Sequence, residues 1–142
     1  MSTLEKAIII AAQAHDGQTD KAGEPYILHP LRMMLRLSLA EDRITAVLHD
    51  VVEDSDISLE DLRAEGFSER IIEAIRSVTK EPEESYKDFI NRAASNPIAR
   101  RVKLVDLEDN SNLSRIKNPT DIDLKRIEKY RRAIEMIKAI EK

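Results

Sequence analysis

The chain has 142 residues and a formal net charge of −4, with 42% hydrophobic, 35% charged and 4% aromatic side chains. That length suits one domain able to bury about two-thirds of the surface its unfolded form exposes, and the balance of apolar to charged residues excludes a disordered chain. The absence of Cys excludes disulfides and thiolate zinc sites, the acidic balance argues against nucleic acid as main partner, and the longest apolar run, Ala7 to Ala12, is far too short to cross a bilayer.

Taken in chain order, the sequence predicts helix after helix, each opened by a start signal. Ser2 with Glu5 reads as a capping box for a first helix running to about His15. Residues 17–29 form a loop containing Gly17, Gly23 and Pro25, and Pro30 suits the first turn of a second helix ending near Leu39. A third helix covers about Asp42 to Glu53. Ser58 with Asp61 opens a short fourth, which Gly66 ends, and Ser68 opens a fifth to about Val78. Ser85 with Asp88 opens a sixth to about Ala94, and Pro97 starts a seventh carrying Ile98, Val102, Leu104 and Val105. Thr120 with Asp123 caps a last helix whose apolar stripe is Leu124, Ile127, Ala133, Ile134, Ile137 and Ile140. No segment sustains period-two alternation. The expectation is an all-α fold, a single compact bundle of about eight helices over residues 1–142.

Three segments carry chemistry. In Leu48-His49-Asp50-Val51-Val52-Glu53-Asp54, helical spacing puts His49, Asp50, Glu53 and Asp54 on adjacent parts of one face. Three carboxylates beside one imidazole repel unless a cation intervenes, and His with Asp suits Mn, Fe or Zn. A solvated acidic helix end is the plainer reading of Glu53 to Asp61, but the apolar Ala46-Val47-Leu48 runs directly into His49-Asp50. In Tyr26-Ile27-Leu28-His29-Pro30, a His is held stiffly between apolar residues and a Pro. A lone His of this kind is usually structural; with three His in the whole chain, a metal shared with His49 is the sharper reading. Asp106 interrupts the apolar stretch from Val102, and a carboxylate there needs a partner: a metal, or Lys103 or Arg101. Asn110 lies one turn further on the same face.

These segments, HDGQTDKAGEPYILHP (15–30), AVLHDVVEDSD (46–56), SVT (77–79) and VKLVDLEDN (102–110), in this order resemble the HD-domain phosphohydrolases. The hydrolase domain of Rel/Spo-type alarmone enzymes and their small free-standing relatives match best. The resemblance implies one Mn²⁺ bound by His29, His49, Asp50 and Asp106, with Glu53 and Asp54 positioning and activating the attacking water. It implies removal of the 3′-pyrophosphate from (p)ppGpp, with Lys21, Asn110, Arg126 and Tyr130 on the substrate side. His15 is expected to be a supporting side chain that orients a neighbouring carboxylate or phosphate, rather than a ligand. Thr19-Asp20-Lys21 departs from the family's basic run, one member of which packs on the guanine base. The segments between His29 and His49 and between Thr79 and Asp106 are shorter than in the alarmone hydrolases. Two other readings therefore stand beside the first: an HD phosphohydrolase for a different nucleotide or phosphoester, and a non-catalytic helical nucleotide-binding protein. The expected partner is a small-molecule nucleotide, not nucleic acid or membrane. The expected compartment is the cytoplasm, the expected state a monomer or homodimer, and the expected direction degradation, since no synthetase segment is visible.

Overall fold

The computed structural model describes residues 2–141. The described residues contain α1 (Leu4–Ala14), α2 (Leu28–Leu35), α3 (Ala40–Leu48), the single turn α4 (Val51–Asp54), α5 (Leu59–Ala64), α6 (Glu69–Ser77), α7 (Tyr86–Ala94), α8 (Pro97–Asn110) and α9 (Asp121–Glu141). A 3₁₀ turn spans Leu113–Arg115. No strand occurs among the described residues; one isolated bridge joins Thr19 and Pro25 in the loop before α2. The architecture is all-α, as the periodicity predicts.

The start signals act through the expected chemistry. Ser58 and Asp61 form a reciprocal capping box on α5, and Ser68, Ser85 and Asn96 accept from the first free N–H groups of α6, α7 and α8. Three boundaries differ from the sequence reading. Thr3, not Ser2, caps α1, because the Ser2 hydroxyl donates instead to the Glu65 carbonyl. The helix after the first loop begins at Leu28 and ends at Leu35, which puts His29 in its first turn. The helix expected over 42–53 breaks at His49-Asp50, so α3 and α4 are separate. That break turns the His49 ring inward while Glu53 and Asp54 stay exposed.

Helix α3 is the centre of the molecule. Its residues Ile44, Thr45, Ala46, Val47 and Leu48 are all buried, because neighbours cover it on several sides. Ile44, Val47 and Leu48 belong to one apolar cluster with Ala7 and Ala11 of α1, Leu62 of α5 and Ile71, Ile72 and Ile75 of α6. Ala46 faces a second cluster with Met33 of α2 and Ile98, Ala99, Val102 and Val105 of α8. A third joins Phe89, Ile90 and Ala94 of α7, Leu107 of α8, and Ala133 and Ile137 of α9. Each fully buried Ile or Leu contributes about 1.5–3 kcal/mol, so α3 is anchored from both sides. The predicted stripe of α9 is only partly used: Ile127, Ala133 and Ile137 are buried, whereas Leu124 and Ile140 are exposed. Asp42, buried in the first turn of α3, takes the Arg101 guanidinium through two bonds of 2.6 and 2.9 Å, which ties α3 to α8.

Candidate metal centre

The buried C-terminal end of α3 delivers His49 and Asp50 to the same place that the first turn of α2 delivers His29 and the middle of α8 delivers Asp106. One ligand atom each from His29, His49 and Asp50 lies within 4.8 Å of the others. Asp106 closes the group: its Oδ1 is 2.9 Å from His29 Nε2 and 3.6 Å from His49 Nε2. The two imidazoles meet edge-on with centroids 5.3 Å apart. His29, His49 and Asp106 are all buried.

The donor set tests whether a cation fits. His49 Nδ1 lies 2.7 Å from the Ala46 carbonyl, an acceptor only, so Nδ1 carries the ring proton and donates it. The other nitrogen, Nε2, is buried with no hydrogen-bond partner among the described residues, yet it sits 3.1 Å from Asp50 Oδ2. A neutral imidazole would aim a lone pair at a carboxylate there. Only positive charge between them, a proton or a metal, relieves that arrangement. Without a metal, the proton takes the role. Burial disfavours charge on His49, but Asp50 and Asp106 outweigh it and hold its pKa well above the ordinary 6.5. Burial likewise works against charge on His29, and the hydrogen bonds of Asp106 and Asp109 overcome it. Burial pushes Asp50 up, but His49 and the Tyr26 hydroxyl bring it down to about 2. Asp106, despite burial, lies well below the usual carboxylate range because Lys103, His29 and His49 surround it. Two imidazoles and two ionised carboxylates converging in a buried site fit a divalent transition metal.

Further side chains hold these donors in place. Tyr26 donates its hydroxyl to Asp50 Oδ2. The His15 ring packs on Tyr26 with centroids 4.8 Å apart, and His15 Nδ1 lies 2.9 Å from Gln18 Oε1. His15 therefore stands behind Tyr26, outside the group of donor atoms. Lys103 donates to Asp106 Oδ2 at 2.8 Å and Asn110 to Asp106 Oδ1 at 2.9 Å. Of the two cations near Asp106 in the sequence, Lys103 pairs with it, while Arg101 is taken by Asp42. Glu53 and Asp54 lie on the outward face of α4, whose Val51 is buried. Both carboxyls are raised: Glu53 first by partial burial and then by Asp50 and Asp54, Asp54 first by partial burial and then by Asp50.

A cavity of about 410 Å³ opens beside His29 and Tyr26, and Lys21, Asn110, Arg126 and Tyr130 all line it. The four substrate-side positions suggested by the resemblance are therefore brought together, from the first loop, α8 and α9. Arg32 and Arg115 line the same cavity and do not stand out in the sequence; the spacing of three between His29 and Arg32 on one helix is the available signal for Arg32, and Arg115 has none. Asp20 also lines it, but its Oδ1 accepts from the backbone N–H groups of Ala22 and Glu24 at 2.9 and 3.0 Å. Its carboxylate closes the loop.

The chain is 37% identical over 119 residues to a guanosine-3′,5′-bis(diphosphate) 3′-pyrophosphohydrolase of Aquifex aeolicus, covering 75% of this chain and 17% of that protein. A protein of the same name from Vibrio cholerae is 35% identical over 114 residues, covering 77% of this chain and 16% of that protein. The chain thus spans about one-sixth of the length of these curated relatives. Among solved structures, a metazoan ortholog of SpoT that hydrolyzes ppGpp superposes with a TM-score of 0.77 at 22% identity, covering 96% of this chain and 85% of that one, a likeness of fold. The model of the HD domain matches residues 7–102, which takes in the helices that deliver His29, His49 and Asp50, and on that match the chain belongs to the HD-domain family.

Proposed function

We propose that residues 1–142 act as a single metal-dependent phosphohydrolase domain that removes the 3′-pyrophosphate from (p)ppGpp, with Mn²⁺ as the metal, in the cytoplasm. The observation that carries the reading is the junction of two features: a His₂Asp₂ donor set of which His29, His49 and Asp106 are buried, and a cavity beside it lined by cations and by Tyr130. The curated relatives named for that reaction support the substrate assignment.

In this reading His29, His49, Asp50 and Asp106 hold the metal. A divalent ion so held supplies a lowered pKa to bound water and charge stabilisation to phosphoryl oxygens. The chain's own residues do the rest. Tyr26 and Lys103 fix one oxygen each of Asp50 and Asp106, so that the donor atoms do not reorganise during turnover. Glu53 is the general base. Its carboxyl is raised by burial and by Asp50 and Asp54, which makes it a better proton acceptor than an ordinary surface carboxylate. Asp54 positions the water beside it. Lys21 and Arg126 offset phosphate charge that an acidic protein would otherwise repel, and Tyr130 and Asn110 form the wall facing the nucleoside.

One observation favours a second reading, an HD phosphohydrolase for another nucleotide. Asp20 commits its carboxylate to its own loop in a segment where the resemblance implies a basic run, one member of which packs on the guanine base. One assay separates the two: pyrophosphate release from ppGpp by metal-stripped protein with and without Mn²⁺, run beside a panel of nucleotides. Metal-dependent release from ppGpp, abolished in Glu53→Gln with the fold intact, is the expected result. A nucleotide preferred many-fold over ppGpp establishes the second reading, and full activity of Glu53→Gln overturns the assigned base.

A further inference from the structure

Each imidazole of the centre must present one nitrogen as a lone pair, and the two are oriented by different means. His49 is set by the main chain, through the Ala46 carbonyl 2.7 Å from its Nδ1. His29 has a carboxylate at both nitrogens: Asp106 Oδ1 at 2.9 Å from Nε2 and Asp109 Oδ2 at 2.6 Å from Nδ1. A neutral imidazole carries one N–H, so something must decide which nitrogen keeps it.

Asp109 is built for that decision. It is 7% exposed and meets His29 at Nδ1, whereas Asp106 meets the ring at Nε2. The Arg32 guanidinium grips both of its oxygens, Nε on Oδ1 at 3.0 Å and Nη2 on Oδ2 at 3.0 Å. Arg115 adds a bond of 2.8 Å to the Asp109 carbonyl and a long contact of 3.5 Å to Oδ1. A two-pronged guanidinium holds a carboxylate ionised and fixed in rotation. The placement follows from helix geometry. His29 and Arg32 are three apart on α2, Asp106 and Asp109 three apart on α8, and the two pairs interlock across the helix contact.

We propose that Asp109 is the positioning residue of His29: held by Arg32, it accepts a hydrogen bond from Nδ1–H, keeps the ring proton on that nitrogen, and thereby turns the Nε2 lone pair toward Asp50, His49 and Asp106. The metal affinity of this chain then depends on a side chain that is not itself a ligand, and it does so only on the α2 side of the centre, since His49 is oriented by backbone. The inference rests on the metal-centre reading above.

The test is calorimetric titration of Mn²⁺ into metal-stripped protein, with no substrate present. Asp109→Asn keeps the shape and removes the charge, and should bind Mn²⁺ about 10–100-fold more weakly. Glu108→Gln is the matched control. It breaks the Arg36–Glu108 ion pair of 2.8 Å between the same two helices without touching His29, and should bind as the wild type does. Equal affinity in Asp109→Asn and wild type overturns the proposal, as does an equal loss in both variants, which would make Asp109 a helix clamp. Should Asp109→Asn not fold, nitrogen-15 spectra of Zn²⁺-loaded wild-type protein decide: a proton on His29 Nδ1 is expected, and coordination through Nδ1 overturns the inference. Wild-type protein that binds no divalent metal at all would fail the metal-centre reading itself and take this inference with it, a result distinct from metal bound equally with and without Asp109.

Discussion

Metal binding at the proposed His29–His49–Asp50–Asp106 centre should appear as thermal stability, because the unfolded chain cannot hold these four residues together. At a free metal concentration one hundred times the dissociation constant, the folded state gains about 2.7 kcal/mol. For a domain of this length, each kcal/mol moves the midpoint by about 4 °C, so a rise of about 10 °C is expected. The informative perturbation is His49→Gln, which keeps most of the side-chain volume in a buried site while removing the lone pair of Nε2. Loss of a ligand should weaken binding by at least the hundredfold that the best supporting contacts are worth. At the same metal concentration the gain then falls to about 0.4 kcal/mol, a shift of about 2 °C. The chain has no Trp, so far-ultraviolet circular dichroism is the appropriate probe, recorded on metal-stripped protein with increasing Mn²⁺, Fe²⁺ or Zn²⁺. Equal shifts in the variant and the wild type would refute the assignment of His49, and no shift with any of the three metals would refute the centre.

Three further outcomes follow from contacts away from the metal. Arg101→Ala strands a buried carboxylate, since Asp42 has a side chain only 2% exposed against 40% for Arg101; it should cost about 3 kcal/mol, whereas Asp42→Ala leaves a guanidinium that reaches water and should cost about 1 kcal/mol. Denaturant titrations check the order, and a reversed order contradicts the burial argument. Ile72→Ala opens a cavity in the fully enclosed cluster between α3, α5 and α6 and should cost about 2–5 kcal/mol while leaving the metal affinity of the folded protein unchanged by calorimetry. Glu84 is held from its ordinary 4.5 down to about 2 by the Arg92 guanidinium. A lowered carboxylate stabilises the fold above its unfolded pKa and loses that contribution as pH falls from 4.5 toward about 2; melting curves of Glu84→Gln and wild type should therefore differ at neutral pH and converge in acid, and a gap that persists at the acid end contradicts the pairing.

Much of this protein is local chemistry. Ser58 with Asp61, Ser68, Ser85 and Pro97 announce helix starts because each acts within three or four residues of itself, and the same short range made the all-α class readable. The ligand candidates were readable for a similar reason: a His or Asp at the edge of an apolar run marks itself as a polar group with something to do. Boundaries that depend on distant partners were not. Ser2 lost its capping role to a carbonyl of residue 65, and the break at His49-Asp50 comes where α3 ends at Leu48, buried against α1, α5 and α6. The tertiary structure also chose among partners that the sequence left equal. Lys103 went to Asp106 and Arg101 to Asp42, a choice made by which face of α8 meets α3. Asp109 shows the limit most clearly: in the sequence it is one acid in Glu108-Asp109, and only the docking of α8 on α2 sets it against His29 and Arg32. Residue type and spacing determined what chemistry this chain could perform, because those signals act within one helical turn; helix packing decided which atoms meet, because contacts between residues some 80 positions apart exist only once the core has closed.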